Sequence, residues 1–253
     1  MSPDLQIYLL GSFRLLVKDL VVLNGAWKKR KAKLLVQILA LQPAYELHRE
    51  RLIEMLFPET DEKTASARFY RVLYEARRAL EPNRLLYRQS NFLIGEGGQI
   101  KLATAHSVWI DAEEFEQKAH DGLKTNRQES LESAVRLYKG DLLADEPFED
   151  WTSDKRERLR ALFHRVLQRL AENAEKQDDI EESHFWLDKV LLAEPADETA
   201  HRAKMRLFYK NGEKTLAFRQ YEKCREALRR ELTIEPDEET GALRQKILAE
   251  KRA

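Results

Sequence analysis

Shifted against itself by 34 residues, the C-terminal half of the chain matches at spaced positions. Asp178 falls on Gly212, Ser183 on Ala217, Leu187 on Tyr221 and Val190 on Cys224. A small residue followed four positions later by a large one, recurring at one period, marks stacked two-helix units. Each such unit buries its apolar face only against the next. Ala134 and Tyr138 carry the same spacing further upstream. Pro195 and Pro236 close two of the helices but stand 41 apart, so the later helix is expected to be two turns longer. From residue 105 onward the apolar residues recur at helical spacing. Helices are expected over Asp111–Asp121, Asn126–Lys139, Trp151–Lys176, Ile180–Ala193, Asp197–Lys210, Glu213–Glu231 and Pro236–Lys251.

The first 104 residues read differently. Leu5, Ile7 and Leu9 alternate with outward positions, Gly11-Ser12 breaks the run, Phe13–Val17 resumes it, and Leu20–Leu23 makes a short third strand. After the turn dipeptide Asn24-Gly25, helices are expected over Lys29–Leu41, Arg49–Leu56 and Glu62–Leu80, stopped by Pro43, Pro58 and Pro82. The third carries Ala65, Phe69, Val72, Leu73, Ala76 and Leu80 on one stripe. Leu85–Tyr87 and Phe92–Ile94 then flank Gln89-Ser90-Asn91 as a hairpin, Gly95–Gly98 reads as a turn, and Gln99–Leu102 as a last strand. Three helices preceded by a small sheet and closed by a hairpin is the layout of a winged helix-turn-helix. The expected fold is therefore an α+β winged helix-turn-helix over residues 1–104, followed over 105–253 by an all-α tetratricopeptide-like helical repeat domain.

Charge follows the same division. Residues 1–104 hold 17 Lys and Arg against 11 Asp and Glu, net +6, and the remainder is net −6. A basic half joined to an acidic one suggests a polyanion-binding module attached to something else. The chemistry of catalysis is hard to find. The six histidines, His48, His106, His120, His164, His184 and His201, include no pair three to five apart, so the helical zinc spacing is absent. The single Cys224 excludes an internal disulfide and a cysteine metal framework. There is no phosphate loop and no nucleophile elbow. The acidic run Asp145, Glu146, Glu149 and Asp150 reads as a cap for the helix starting near Trp151. No enzyme, metal or cofactor is expected. No apolar run reaches the ~18 residues of a membrane span. The N-terminus lacks a signal-peptide pattern. A cytoplasmic protein without a membrane partner is expected.

The informative constellation is basic and aromatic. Opposite the apolar stripe of the third helix lie Thr64, Ala67, Arg71, Tyr74 and Arg78, flanked by Lys63, Arg68, Tyr70 and Arg77. A major groove admits one helix, and arginine is the commonest bidentate reader of guanine. The base-reading face is therefore expected to be Lys63, Thr64, Ala67, Arg68, Tyr70, Arg71 and Tyr74. A second cluster, Lys28, Lys29, Arg30, Lys31 and Lys33, sits at the start of the first helix, where cations oppose the helix dipole. Local helix stability does not explain it, and phosphate contact does. With Lys28, Lys29, Arg30 and Lys31, the expected phosphate and wing contacts include Arg78, Arg84 and Arg88.

In this order the motifs resemble those of the bacterial SARP-type regulators, which join a winged helix-turn-helix to a bacterial transcriptional activator domain. The resemblance covers nearly the whole chain. It lies in Leu9-Leu10-Gly11-Ser12-Phe13, Arg49-Glu50-Arg51-Leu52-Ile53-Glu54, Leu56-Phe57-Pro58-Glu59 and Arg77-Arg78-Ala79-Leu80-Glu81-Pro82. It continues in Asp111-Ala112-Glu113-Glu114-Phe115-Glu116, Tyr138-Lys139-Gly140-Asp141-Leu142-Leu143, Trp151, Glu194-Pro195-Ala196-Asp197-Glu198, His201-Arg202 and Glu235-Pro236. Phe57 stands where a Trp is usual, Ala76 where a Leu is, Ala44-Tyr45 where a Gly is common, and Asn91-Phe92 for a Gly-Tyr pair. The resemblance implies a transcriptional activator that binds promoter direct repeats on double-stranded DNA. It also implies contact with RNA polymerase and possible self-association on DNA. The rival reading is a helical-repeat interaction or sensing module whose winged helix does not bind DNA. A third is a hydrolase hidden in the helical half.

Overall fold

A computed structural model describes residues 3–83, 89–102, 107–146 and 150–249. The chain divides into two compact units. One is Met1–Glu114 with Lys139–Glu149; the other is Phe115–Tyr138 with Asp150–Ala253.

In the first unit, β1 (Leu5–Tyr8), β2 (Arg14–Val17) and β3 (Leu20–Val21) form an antiparallel meander with Leu5 opposite Val17. The alternation read from the sequence is the burial pattern: Leu5, Ile7, Leu9 and Leu15 are fully buried. A further strand, Val108–Ile110, pairs in parallel with β1 at the far edge. The sequence did not announce it, because three residues are too few to display a period. Asp111 follows, 2% exposed, and its carboxylate accepts from Leu9 N–H at 2.7 Å and Leu10 N–H at 3.0 Å.

The segment after Tyr138 also closes on β1. Gly11 N–H donates to Asp141 at 3.0 Å, Leu143 N–H to Leu9 at 2.7 Å and Ala144 N–H to Gly11 at 3.1 Å. Gly11 has φ +93°, and a Cβ on Gly140 would lie 3.2 Å from the Gly11 Cα, so this crossing needs glycine on both sides. Two members of the acidic run, Asp145 and Glu146, therefore serve this crossing rather than the next helix, and Glu149 lies outside the described residues. Asp145 accepts from the Phe13 N–H at 3.1 Å, and Glu146 reaches Arg30 and Lys33.

Three helices follow the meander: α1 (Arg30–Ala40), α2 (Arg49–Leu56) and α3 (Glu62–Leu80). Asp61 caps α3 by accepting from Thr64 N–H at 3.0 Å. Ala65, Phe69, Val72, Leu73, Ala76, Ala79 and Leu80 are buried, which is the expected stripe with Ala79 added. A second sheet backs them. Numbering strands in chain order, Glu46–His48 is β4, Leu93–Glu96 is β5, Gln99–Leu102 is β6 and the parallel strand above is β7; the sheet order is β4-β6-β5. The β5–β6 hairpin turns at Gly97-Gly98, with φ +56° and +81°, values that a two-residue turn of the primed type demands. This hairpin uses the expected turn at Gly95–Gly98 and the expected last strand Gln99–Leu102. Asn91 binds back to the end of α3, where Glu81 accepts from Asn91 N–H at 3.0 Å and its side-chain amide at 2.8 Å. Leu85–Tyr87 falls outside the described residues. Ala44 and Tyr45 both adopt left-handed φ (53° and 57°), and the Tyr45 hydroxyl donates to Glu113 at 2.8 Å.

The helical elements are α4 (Asp111–Thr125), α5 (Gln128–Leu137), α6 (Ser153–Lys176), α7 (Ile180–Ala193), α8 (Glu198–Lys210), α9 (Lys214–Leu232) and α10 (Glu238–Ala249). In the second unit, α6 packs along α7 and α8 along α9 as antiparallel hairpins. Ser183, Leu187, Val190, Ala217, Tyr221 and Cys224 are all buried, so the 34-residue match is the inter-helix face itself. α9 has 19 residues against 14 in α7, five more rather than two full turns, because Thr233 at φ 59° ends it before Pro236. Aspartates start three of these helices: Asp179, Asp197 and Asp237 accept from the N–H groups of Glu182, Ala200 and Thr240. The buried Arg202 ties α8 to α10 through Asp237 at 2.7 Å and the Thr240 hydroxyl at 3.0 Å.

Burial pushes the Asp111 carboxyl up from the usual 3.8 to about 6, against the opposing pull of the Leu9 and Leu10 N–H groups. Between those values the folded chain holds a proton that the unfolded chain has released. Its contribution to stability therefore falls as pH rises through that window, by about 3 kcal/mol in full. A carboxyl ¹³C titration of Asp111 is expected to show a midpoint near 6. A midpoint in the ordinary aspartate range would mean that the two N–H bonds outweigh burial.

Candidate nucleic-acid interface

The exposed side of α3 is assembled by what its other side buries. With Phe69 fully enclosed, the helix is held by α1, α2 and β5. Lys63, Ala67, Arg68, Tyr70, Arg71, Tyr74 and Arg78 then face solvent, and Thr64 is half-buried at the capped end. From Lys63 to Tyr74 the helix carries no acid. Tyr70 is 52% and Tyr74 39% exposed. Among the described residues, the side chains of Lys63, Arg71 and Arg78 have no ion-pair or hydrogen-bond partner. Arg68 lies within electrostatic reach of Asp61. Arg77 turns away from this face, and its Nε donates to the Leu93 carbonyl at 2.9 Å, fastening β5 to α3.

The basic start of α1 separates into two sets. Lys28 is exposed and Lys29 half-exposed, and the side chain of neither has such a partner among the described residues. Arg30 and Lys33 meet the Glu146 carboxylate at 2.5 and 3.1 Å. Burial alone would raise that carboxyl, but the hydrogen bonds from Arg30 and Lys33 outweigh it and hold Glu146 below the usual range. Lys31 bends the other way. Its ammonium donates to the Leu56 carbonyl at the end of α2 and lies 4.1 Å from the Phe57 ring centroid. Arg30, Lys31 and Lys33 thus meet partners of the first unit itself. Their partners lie up to 116 residues away in sequence, where no local pattern could reveal them. Arg84 and Arg88 lie outside the described residues.

One residue that sequence reasoning did not place joins the α3 face. Arg49, first in α2, donates to the Tyr70 hydroxyl at 3.0 Å, and its backbone N–H donates to Gly98 in the wing turn at 2.8 Å. Among the described residues no group of three or more His, Cys, Asp or Glu converges as a metal site. His201, the most enclosed histidine among the described residues, is engaged structurally between the Pro195 carbonyl at 3.0 Å and Gln220 at 2.7 Å.

Replacing Glu146 by Gln leaves two cations without their shared anion. With Arg30 largely solvated, the expected loss is about 1–2 kcal/mol of stability. Urea unfolding monitored by circular dichroism should show a lower midpoint at unchanged slope. An unchanged midpoint would show that the bridge contributes nothing to the fold.

Comparison with known proteins bears on both halves. Residues 110–248 match the bacterial transcriptional activator domain. The solved structure of Mycobacterium tuberculosis EmbR in complex with a low affinity phosphopeptide resembles this fold over 100% of this chain and 67% of that one, with a TM-score of 0.67 and 17% identity. No curated protein sequence matches significantly.

Proposed function

The chain belongs to the bacterial transcriptional activator domain family and is a transcriptional regulator of the SARP type; on that premise we propose that it is a sequence-specific DNA-binding activator. The observation that carries the reading is the α3 face, in which basic and aromatic side chains stand clear of the core with no acid from Lys63 to Tyr74. In this reading Lys63, Thr64, Ala67, Arg68, Tyr70, Arg71 and Tyr74 meet base edges in the major groove. Lys28, Lys29 and Arg78 reach phosphates. Arg30 and Lys31 add positive potential from positions fixed by the fold. Among the described residues no helix is long and apolar enough to cross a membrane. No catalytic role is part of the proposal, and the site of action is the cytoplasmic chromosome.

The helical half is assigned to protein contact. Residues 105–253 are net −6 and gain nothing from a polyanion, whereas stacked helical hairpins offer a surface for RNA polymerase or a neighbouring protomer. Genomic selection with the purified protein is the direct test. Enrichment of one sequence over random DNA supports the reading, and no enrichment sinks it.

Two substitutions separate base reading from phosphate contact. Arg71→Ala is expected to cost about 1–3 kcal/mol on the selected operator and to relax preference at one position. Lys28→Ala with Lys29→Ala should weaken all duplexes alike and flatten the salt dependence by about 0.9 per lost phosphate contact. Equal small losses on specific and random DNA for Arg71→Ala would remove it from base reading.

Binding to direct repeats is expected to be cooperative, with repeat centres about one helical turn (~10–11 base pairs) apart. Gel shifts on single, direct and inverted half-sites, with 5 base pairs inserted (about half a turn) as a phase control, check this. Preference for inverted sites would refute the tandem arrangement.

A further inference from the structure

Arg49 begins α2, yet its side chain reaches the middle of α3. One terminal nitrogen donates to the Tyr70 hydroxyl at 3.0 Å and the other to the Glu50 carboxylate at 2.6 Å. The second oxygen of that carboxylate meets His48 Nδ1. The His48 ring lies so close to the wing turn that its Nε2 would sit 2.9 Å from a Cβ placed on Gly98. Arg49 N–H also donates to the Gly98 carbonyl. The start of α2, the exposed face of α3 and the wing turn are thus joined through three consecutive residues. The Arg49 and Glu50 side chains remain 39% and 51% exposed, open to whatever docks on α3.

Resting on the DNA-binding reading above, we propose that Arg49 is a positioning residue for Tyr70 and a phosphate contact whose place on the guanidinium Glu50 occupies in the free protein. A guanidinium is a planar fork of donors. Here one prong is committed to Tyr70 and the other to a monoanionic oxygen acceptor. A phosphodiester oxygen offers the same charge and the same acceptor geometry. It exchanges for the carboxylate one for one, without moving the guanidinium or releasing Tyr70. The displaced carboxylate keeps a partner in His48, which holds it away from the incoming backbone.

The exchange is feasible because the resident pair is solvent-exposed and joins adjacent side chains, a class of ion pair that contributes little. DNA presents a row of such oxygens within a strong field. Glu50 then acts as an internal competitor that lowers affinity for every duplex. Tyr70 gains orientation: its ring meets Phe69 edge-on at 5.9 Å between centroids, and its hydroxyl is fixed by Arg49. A ring fixed at both ends discriminates base shape better than one free to rotate. Arg49 therefore enters both affinity, through phosphate, and specificity, through Tyr70.

The experiment is a mutant cycle on the full chain. Dissociation constants are measured by fluorescence anisotropy for the selected operator and a random duplex over a salt series. The proteins are wild type, Glu50→Gln, Arg49→Met, the double variant and Tyr70→Phe, each checked for unchanged thermal unfolding. Glu50→Gln is expected to tighten both duplexes by about two- to fivefold, the range an exposed ion pair supports. That gain should vanish in the Arg49→Met background. Arg49→Met should lower the salt slope by about 0.9. Arg49→Met and Tyr70→Phe should each reduce the operator-to-random ratio. An equal gain from Glu50→Gln with and without Arg49 would reduce Glu50 to a bulk like charge and overturn the proposal. So would an unchanged slope for Arg49→Met, or an unchanged ratio for Tyr70→Phe. Failure of the wild type to bind DNA would instead overturn the DNA-binding reading itself, and this proposal with it.

Discussion

The N–H groups of Leu9 and Leu10 leave the end of β1 inside the protein, and everything in the first unit depends on where they bond. A buried donor without an acceptor costs free energy comparable to a lost hydrogen bond. The acceptor is the Asp111 carboxylate, about a hundred residues along the chain. Next to it, the Leu9 and Gly11 carbonyls receive Leu143 and Ala144. The strap that brings Leu143 to β1 also delivers Asp145 to Phe13 and Glu146 to the start of α1. Glu146 fixes Arg30 and Lys33, α1 packs on α3, and α3 presents its basic face. The winged helix is therefore completed by residues far beyond its wing.

How much of this was legible follows from the reach of each interaction. α3 was read to the residue because nineteen residues of one apolar stripe are bounded by Asp61, a local cap, and by Pro82. The 34-residue repeat was legible because each unit packs on its neighbour by the same small-to-large contact. β4 and β7 were not, since three residues carry no period and their pairing partners lie far along the chain. The hairpin expected around Gln89-Ser90-Asn91 has its first strand outside the described residues. The bonds from Ser90 and Asn91 to Glu81 were not legible, because turn composition does not show which carboxylate it will meet. Of the site, the α3 residues were visible because one helix holds them. Arg49 was not, because its bond to Tyr70 spans 21 residues and crosses between two helices.

The turn ahead of α2 shows how strain is carried without glycine. Ala44 and Tyr45 occupy left-handed backbone, a region that favours glycine. A Cβ there clashes with the neighbouring carbonyl. Tyr45 is offset by its bond to Glu113, and burial with that carboxylate pushes its hydroxyl up to about 12, so it donates at any physiological pH. β4 and α2 follow this turn directly, and with them Arg49. The turn that carries this strain therefore also sets where Arg49, and through it the Tyr70 hydroxyl, is held.

Glu146 and Glu50 pose the same electrostatic question and answer it differently. Each carboxylate meets a basic residue at the start of a helix of the first unit. Glu146 is almost wholly buried, and removing its partners would strand a charge away from water, so Arg30 and Lys33 belong to the fold. Glu50 is half-exposed, and water or another anion can replace Arg49 or Glu50 at little cost. Burial of the acid, rather than position on the surface, separates the cations that hold the unit together from those that the proposed function assigns to DNA. By that criterion the side chains of Lys28, Lys29, Lys63, Arg71 and Arg78 fall in the second group, with the exposed Arg49–Glu50 pair between the two.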